Sequence, residues 1–237
     1  MGRSRLLILG LVLNVAHCLE TPGENLDVVI KHKQVTGVLG EDVYLDCLYL
    51  GGSSIISALW KRQSNSKVKT KRLTGFINDR PFIRDSDFSI PASATNLTVK
   101  MRVSTVEAEG EYTCVFISDE EEFTGSIFLT VLVRPDTHIE VNGDIVSGTH
   151  YQSVLCSAVN GRPVPEISWL IEGTSPSDDS FTVVMNKTIH PNGTAVVTSI
   201  FRFPTHLQDE DKVTCVVQHP SLPNPINTTV RVETFVF

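Results

Sequence analysis

The sequence predicts an all-β protein of two tandem domains, on three observations. The interval from Cys47 to Trp60 recurs from Cys156 to Trp169, an internal repeat with one copy in each half of the 237-residue chain. Around these anchors apolar residues alternate with polar ones at a period of two, the pattern of strands with one buried face. No stretch of helical length carries a 3.6-residue apolar period. Two domains of about 100 to 110 residues suit the length.

From the N-terminus, Arg3 and Arg5 precede the apolar run Leu6 to Leu13 and then Asn14-Val15-Ala16-His17-Cys18. That is the charged, apolar and small-residue order of a secretory signal, and the run is too short to span a bilayer. Residues 1–18 are therefore expected to be removed by a cut before Leu19. Of the 5 cysteines this leaves Cys47, Cys114, Cys156 and Cys215. No later apolar run approaches the roughly 20 residues of a transmembrane helix. The mature product is expected to be secreted, or to lie on the extracellular face of the plasma membrane if it is the outer part of a longer protein. Asn96-Leu-Thr, Asn186-Lys-Thr, Asn192-Gly-Thr and Asn227-Thr-Thr are candidate glycosylation sites, in keeping with the secretory pathway. The net charge of -7 favours solubility and gives no general attraction for nucleic acid or anionic membrane.

In the first half, Val43, Leu45 and Cys47 share one face of a strand, and Ile56, Ala58 and Trp60 one face of a second. Leu97, Val99, Met101 and Val103 make a third, Tyr112, Cys114 and Phe116 a fourth, and Ile127 to Val133 a last. Clusters such as Gly51-Gly52-Ser53-Ser54 and Ser175-Pro176-Ser177 fall at loop intervals. Pro135 ends the strand pattern and marks a short, stiff joint, so the domains are expected at 19–133 and 134–237. Neither cysteine pair has metal-ligand spacing; in an oxidising compartment they read as two disulfides. Of the three connectivities open to four cysteines, the repeated tryptophan interval selects Cys47 with Cys114 and Cys156 with Cys215. Each closes a loop long enough to contribute roughly 4 kcal/mol by the chain-entropy relation.

Cysteine, tryptophan and then Tyr-x-Cys, here in Glu109-Gly110-Glu111-Tyr112-Thr113-Cys114, resembles the immunoglobulin arrangement, in which the tryptophan packs on an inter-sheet disulfide. The resemblance implies two immunoglobulin-like β-sandwiches. The long segment between Trp60 and Leu97 has room for extra edge strands and resembles a variable-type domain. The second domain is shorter, has Val213 where the tyrosine would stand, and resembles a constant-type domain. Its segments Cys156-Ser-Ala-Val-Asn-Gly-Arg-Pro-Val-Pro-Glu-Ile-Ser-Trp169, His190 to Ser199 and Val213-Thr-Cys-Val-Val-Gln-His-Pro220 resemble the second domain of the nectin, poliovirus receptor and OX-2 membrane glycoprotein group. Such proteins bind similar proteins on opposing cells through a variable-type tip carried on constant-type stalk domains. The first domain departs from that pattern. Ala108 replaces the usual aspartate, the sequence places neither Arg80 nor Arg84 at the position of that aspartate's partner, and Ser57 and Ala58 replace a Thr-Gln type motif. The segment Val115 to Phe123 has no Phe-Pro or Tyr-Pro. The group's docking lock and its partner are not carried over.

No catalytic residue, metal ligand or cofactor is expected. The 7 histidines include no pair at zinc-ligand spacing, and there is neither a Gly-x-Ser-x-Gly elbow nor a phosphate-cradling glycine loop. Asp119-Glu120-Glu121-Glu122 carries no sign of an opposed acid and base.

With Trp60 and Cys114 inward, alternation sends Ser57, Leu59, Lys61, Thr113, Val115 and Ile117 outward, and Phe128 joins them between inward Ile127 and Leu129. Leu59, Val115, Ile117 and Phe128 form an apolar stripe on a side that a free antiparallel sheet keeps polar, and are the candidate partner-binding residues. Basic Lys61, Arg62, Lys67, Lys69, Lys71 and Arg72 flank one side of it, and acidic Asp119, Glu120, Glu121 and Glu122 the other. The expected function is an extracellular ectodomain for cell adhesion or immune recognition, a receptor or ligand. It would bind a cell-surface protein, by the resemblance another immunoglobulin-superfamily member, through the first domain's outer sheet. A secreted decoy that occupies a counter-receptor is the alternative. A weak homodimer through the same face is a further expectation, because a two-fold axis would set basic against acidic twice.

Overall fold

The computed structural model describes residues 27–63, 70–146, 149–176, 181–204 and 211–232. The expected signal 1–18, Lys67 and Lys69 lie outside them. Among the described residues the regular structure is strand, apart from one 3-10 turn at Val106–Ala108.

The first half holds β1 (Val28–Val29), β2 (Gln34–Val38), β3 (Asp42–Leu45), β4 (Leu48–Tyr49), β5 (Ser57–Gln63), β6 (Thr70–Ile77), β7 (Arg80–Ile83), β8 (Val99–Arg102), β9 (Gly110–Ile117) and β10 (Glu122–Leu132). Six of them form one sheet in the order β2-β10-β9-β5-β6-β7, with β2 parallel to β10 and the other pairs antiparallel. Opposite lie β3 paired with β8 and β1 paired with β4. Alternation builds the core between them: Leu45, Val99, Met101 and Val103 meet Ala58, Trp60, Tyr112, Phe116, Ile127 and Leu129. The disulfide from Cys47 to Cys114 joins the two layers, with S–S 2.00 Å, and the buried Trp60 Nε1–H donates to the Leu97 carbonyl at 2.6 Å. Tyr112 donates its hydroxyl to the Ala108 carbonyl at 2.7 Å and closes the turn ahead of β9. Burial pushes its pKa up to about 12, so it remains a donor.

The second half holds β11 (Asp136–Val146), β12 (Thr149–Gly161), β13 (Glu166–Ile171), β14 (Thr182–Ile189), β15 (Ala195–Pro204), β16 (Lys212–Gln218) and β17 (Ile226–Arg231). Their orders, β11-β12-β15-β14 against β13-β16-β17, are those of a constant-type immunoglobulin sandwich. Cys156 and Cys215 join the sheets, and Trp169 donates from Nε1 to the Ser199 hydroxyl at 2.9 Å. Val213, in the tyrosine position, is wholly buried.

At the joint, Val133 and Arg162 exchange two backbone hydrogen bonds, of 2.9 and 3.0 Å. The Glu109 carboxylate accepts from Arg162 Nη2 at 2.7 Å and from the Val131 N–H at 3.0 Å. The joint is thus pinned by side chains as well as by Pro135.

Candidate binding face

The register of the six-stranded sheet fixes which outward residues are neighbours. One row runs Glu122, Ile117, Ser57, Ile77 and Arg80 across β10, β9, β5, β6 and β7. The next runs Thr124, Val115, Leu59, Gly75 and Phe82, and a third Ser126, Thr113, Lys61 and Arg72. The irregularity between Trp60 and Lys61 leaves Leu73 of β6 without a partner on β5. A Cβ at Gly75 would run into the Ala58 carbonyl and stand 2.6 Å from the Leu59 Cα, so glycine is required there and the row is flat at that point.

The expected stripe is not uniformly open. Phe128 is 46% exposed between buried Ile127 and Leu129, and Ile117 is half-buried. Leu59 and Val115, on the outward side, are only 5% and 2% exposed, which corrects the expectation that both present apolar surface. The cause lies in the charges. Lys61 Nζ lies 3.4 Å from Glu122 Oε1. Lys61 stands one row below Val115 on β5 and Glu122 one row above it on β10, so this pair crosses β9 over Val115 and roofs it. Leu59 is flanked in its row by Val115 and, across Gly75, by Phe82. Exposed apolar residues that alternation did not single out are Ile77, at 37%, and Ile56, at 40% and just ahead of β5. Ile56 was expected on the Trp60 face; its N–H pairs with the Ile117 carbonyl, but it lies outside the strand and its side chain is open.

The basic and acidic groups are likewise partly satisfied within the chain. Lys71 pairs with Asp85 at 2.7 Å, and Lys61 with Glu122. Asp85 has its pKa lowered: burial works to raise it, and is outweighed by the hydrogen bonds from Lys71 and the Asp87 N–H and by the Lys71 and Arg62 charges. Asp119, Glu120 and Glu121 remain exposed at the tip of the β9–β10 hairpin. There the Ser118 hydroxyl accepts from the N–H groups of Glu120 and Glu121, at 3.3 and 3.0 Å, and holds the loop tight.

Below the face, Arg62 takes the position that neither Arg80 nor Arg84 could be assigned. Its guanidinium donates to the carbonyls of Glu107 and Glu109, the latter at 2.7 Å, and lies 5.1 Å from the Tyr112 ring centroid. A cation satisfied by backbone carbonyls and a ring needs no aspartate, which accounts for Ala108. Arg84 lies over Phe82 instead. Two residues past the core tryptophan, on its inward parity, was the signal available for Arg62.

The sequons lie elsewhere. Asn96 adjoins the small sheet, bridged to Leu48, with its carbonyl oxygen accepting from the Thr98 N–H at 3.0 Å. Asn186 pairs with Thr198 on the outer side of the second domain's large sheet. Asn227, opposite Val216, is on the outer side of its small sheet. Asn192 is in the exposed turn before β15, where its oxygen holds Thr194 by N–H and hydroxyl. None of the four falls on the rows described above. Among the described residues no group of His, Cys, Asp and Glu could hold a metal ion, and no helix is long and apolar enough to cross a membrane.

Comparison with known proteins places two family models on the chain. The immunoglobulin V-set domain matches residues 30–132, and the CD80-like C2-set immunoglobulin domain residues 137–226. Nectin-4 of Xenopus tropicalis is 25% identical over 209 residues, covering 84% of this chain and 38% of that protein. Human nectin-2 is 28% identical over 228 residues, covering 87% and 41%. The chain thus spans about two fifths of the length of these curated relatives. The extracellular portion of mouse CD200RLa superposes with a TM-score of 0.64 at 17% identity, over 84% of this chain and 98% of that one, a likeness of fold.

Proposed function

Because the chain belongs to the immunoglobulin superfamily, with a V-set domain ahead of a CD80-like C2-set domain, we propose that it is a protein-binding ectodomain of cell adhesion or immune recognition. It engages a cell-surface protein, itself of the immunoglobulin superfamily, through the outer face of the six-stranded sheet. The observation that carries this is the combination of apolar side chains and freedom from sequons on that one face. Phe128, Ile117 and Ile77 stand open or half-open there. Carbohydrate at the four sequons would cover the small sheet of the first domain and both sheets of the second. The roof over Val115 does not oppose this, since its members are 33% and 51% exposed and such pairs are worth only about 0–1 kcal/mol. A partner that offers groups to both charges opens it at little cost and gains the apolar floor.

The test is a screen of the secreted chain, multimerised for avidity, against cell-surface ectodomains. Ile117→Arg should then reduce binding to the partner found by about a hundredfold, the loss of a central anchor, with secretion and melting unchanged. Undiminished binding by a well-folded Ile117→Arg chain would sink the assignment and move the contact to the loops or the second domain.

A further inference from the structure

At the far side of the second domain, β14 is the free edge of the four-stranded sheet, and all eight of its residues are exposed. Val183, Met185 and Ile189 pair in register with Phe201, Ser199 and Ala195, each wholly buried, so they project on the core side of their sheet. Yet they are 48%, 52% and 59% exposed, because the opposing sheet has only three strands and stops short of them. Val184, on the outer side, is 40% exposed. A long edge strand with apolar residues on both sides is a template for pairing with another chain, and proteins blunt such edges with charge, proline, bulges or a cover. The other described edges of this domain carry more polar groups: β11 exposes Val141 but also a His138–Glu140 pair, β13 exposes Glu166 and Ser168, and β17 exposes Asn227, Thr229 and Arg231. On β14 the sole ionisable residue is Lys187.

Beyond that one lysine, β14 carries the sequon Asn186-Lys187-Thr188 at mid-strand, every residue of it exposed, with a second sequon at Asn192 in the turn that follows. We infer that Asn186 carries an N-linked carbohydrate that closes this edge against a second copy of the chain. An added strand would lie about 4.8 Å away, within the volume that a branched sugar chain rooted at the middle of β14 sweeps. The sugars also hydrate Val184, which projects on the same outer side as Asn186. This role belongs to the second domain alone and is independent of what the first domain binds.

The experiment compares the chain secreted from animal cells with Asn186→Gln and Thr188→Ala, two different ways of removing one sequon, and with Asn227→Gln as control. Peptide mapping should find carbohydrate on Asn186. Sedimentation should show self-association rising about tenfold or more for both Asn186→Gln and Thr188→Ala and not for Asn227→Gln, with amides of 182–189 newly protected from hydrogen exchange. Met185→Lys added to either variant should restore the original association by charging the edge. If a variant is not secreted, trimming the folded glycoprotein to its first sugar should produce the same rise. An unoccupied Asn186, or a folded chain that lacks this carbohydrate and associates no more than before, overturns the inference.

Discussion

Removing the Glu109 carboxylate should loosen the joint between the domains by an amount its surroundings set. Its two oxygens accept from Arg162 Nη2 and from the Val131 N–H, at 2.7 and 3.0 Å. The pair is less exposed than a surface bridge, at 29% for Glu109 and 22% for Arg162. Fully exposed pairs contribute about 0–1 kcal/mol, whereas a hydrogen bond to a charged group contributes about 1.5–3 kcal/mol. Glu109→Ala, which forfeits both bonds and leaves the N–H of buried Val131 without this acceptor, should therefore cost about 2 kcal/mol, or about 10 °C in the melting of the first domain. Glu109→Gln keeps an oxygen for Val131 and should cost about half as much. Denaturation of Glu109→Ala, Arg162→Ala and the double variant forms a cycle whose coupling should reach about 1 kcal/mol. Small-angle scattering should show a broader spread of interdomain distances in all three. Additive effects in that cycle, within about 0.3 kcal/mol, would mean that the charge pair does not hold the joint and that the backbone bonds of Val133 and Arg162 suffice.

Two further changes probe the sheet and the second domain. Gly75→Ala forces a methyl against the Ala58 carbonyl and the Leu59 Cα, and should lower stability by about 1–3 kcal/mol and weaken partner binding because β5 and β6 must part beneath the face; thermal melting and a binding titration check it. His219 is buried, which lowers its pKa against the opposing pull of the Pro163 and Arg162 backbone. In its neutral form Nε2–H donates to the Pro163 carbonyl at 2.9 Å and Nδ1 accepts from the Ser221 N–H at 3.1 Å. With a folded pKa below the unfolded value near 6.5, the unfolded chain binds the extra proton first. Stability of the second domain should hold above pH 6.5 and fall as pH drops below it, and His219→Gln should flatten that slope in urea titrations between pH 7 and pH 5.

The parts of the fold that were legible in the sequence are those that depend on local alternation and on a repeated spacing. Cys47, Trp60 and Cys114, and their counterparts Cys156, Trp169 and Cys215, lie at the centres of their cores because a period of two puts every second residue on the inner side. Depth on the outer side does not follow from alternation. Val115 has the correct parity and almost no surface, because the side chains that cover it, Lys61 and Glu122, come from two strands far apart in sequence. Leu59 is almost as deeply buried, in a segment where the irregularity after Trp60 breaks the pattern. β14 misleads in another way: Val183-Val184-Met185 has the composition of a strand buried on both sides, and only the sheet order reveals it as an edge.

The Lys61–Glu122 roof also bears on why a binding face should hide its own apolar centre. Leu59 and Val115 left open beside Ile117 would enlarge a sticky patch on an unpartnered chain. A pair worth about 0–1 kcal/mol closes the centre at almost no energetic commitment, while burying a side chain of this kind against a partner contributes about 1.5–3 kcal/mol. A partner that offers a carboxylate to Lys61 and a cation to Glu122 exchanges one pair for two, so opening the roof costs it little. A partner without them leaves both charges stranded at a drying interface and pays their desolvation. On the proposed function, the roof therefore acts on specificity more than on affinity. A second copy of the chain, related by a two-fold axis, meets the same requirement by presenting Glu122 to Lys61 and Lys61 to Glu122. Any self-association through this face would then compete with recognition of a partner for the same residues.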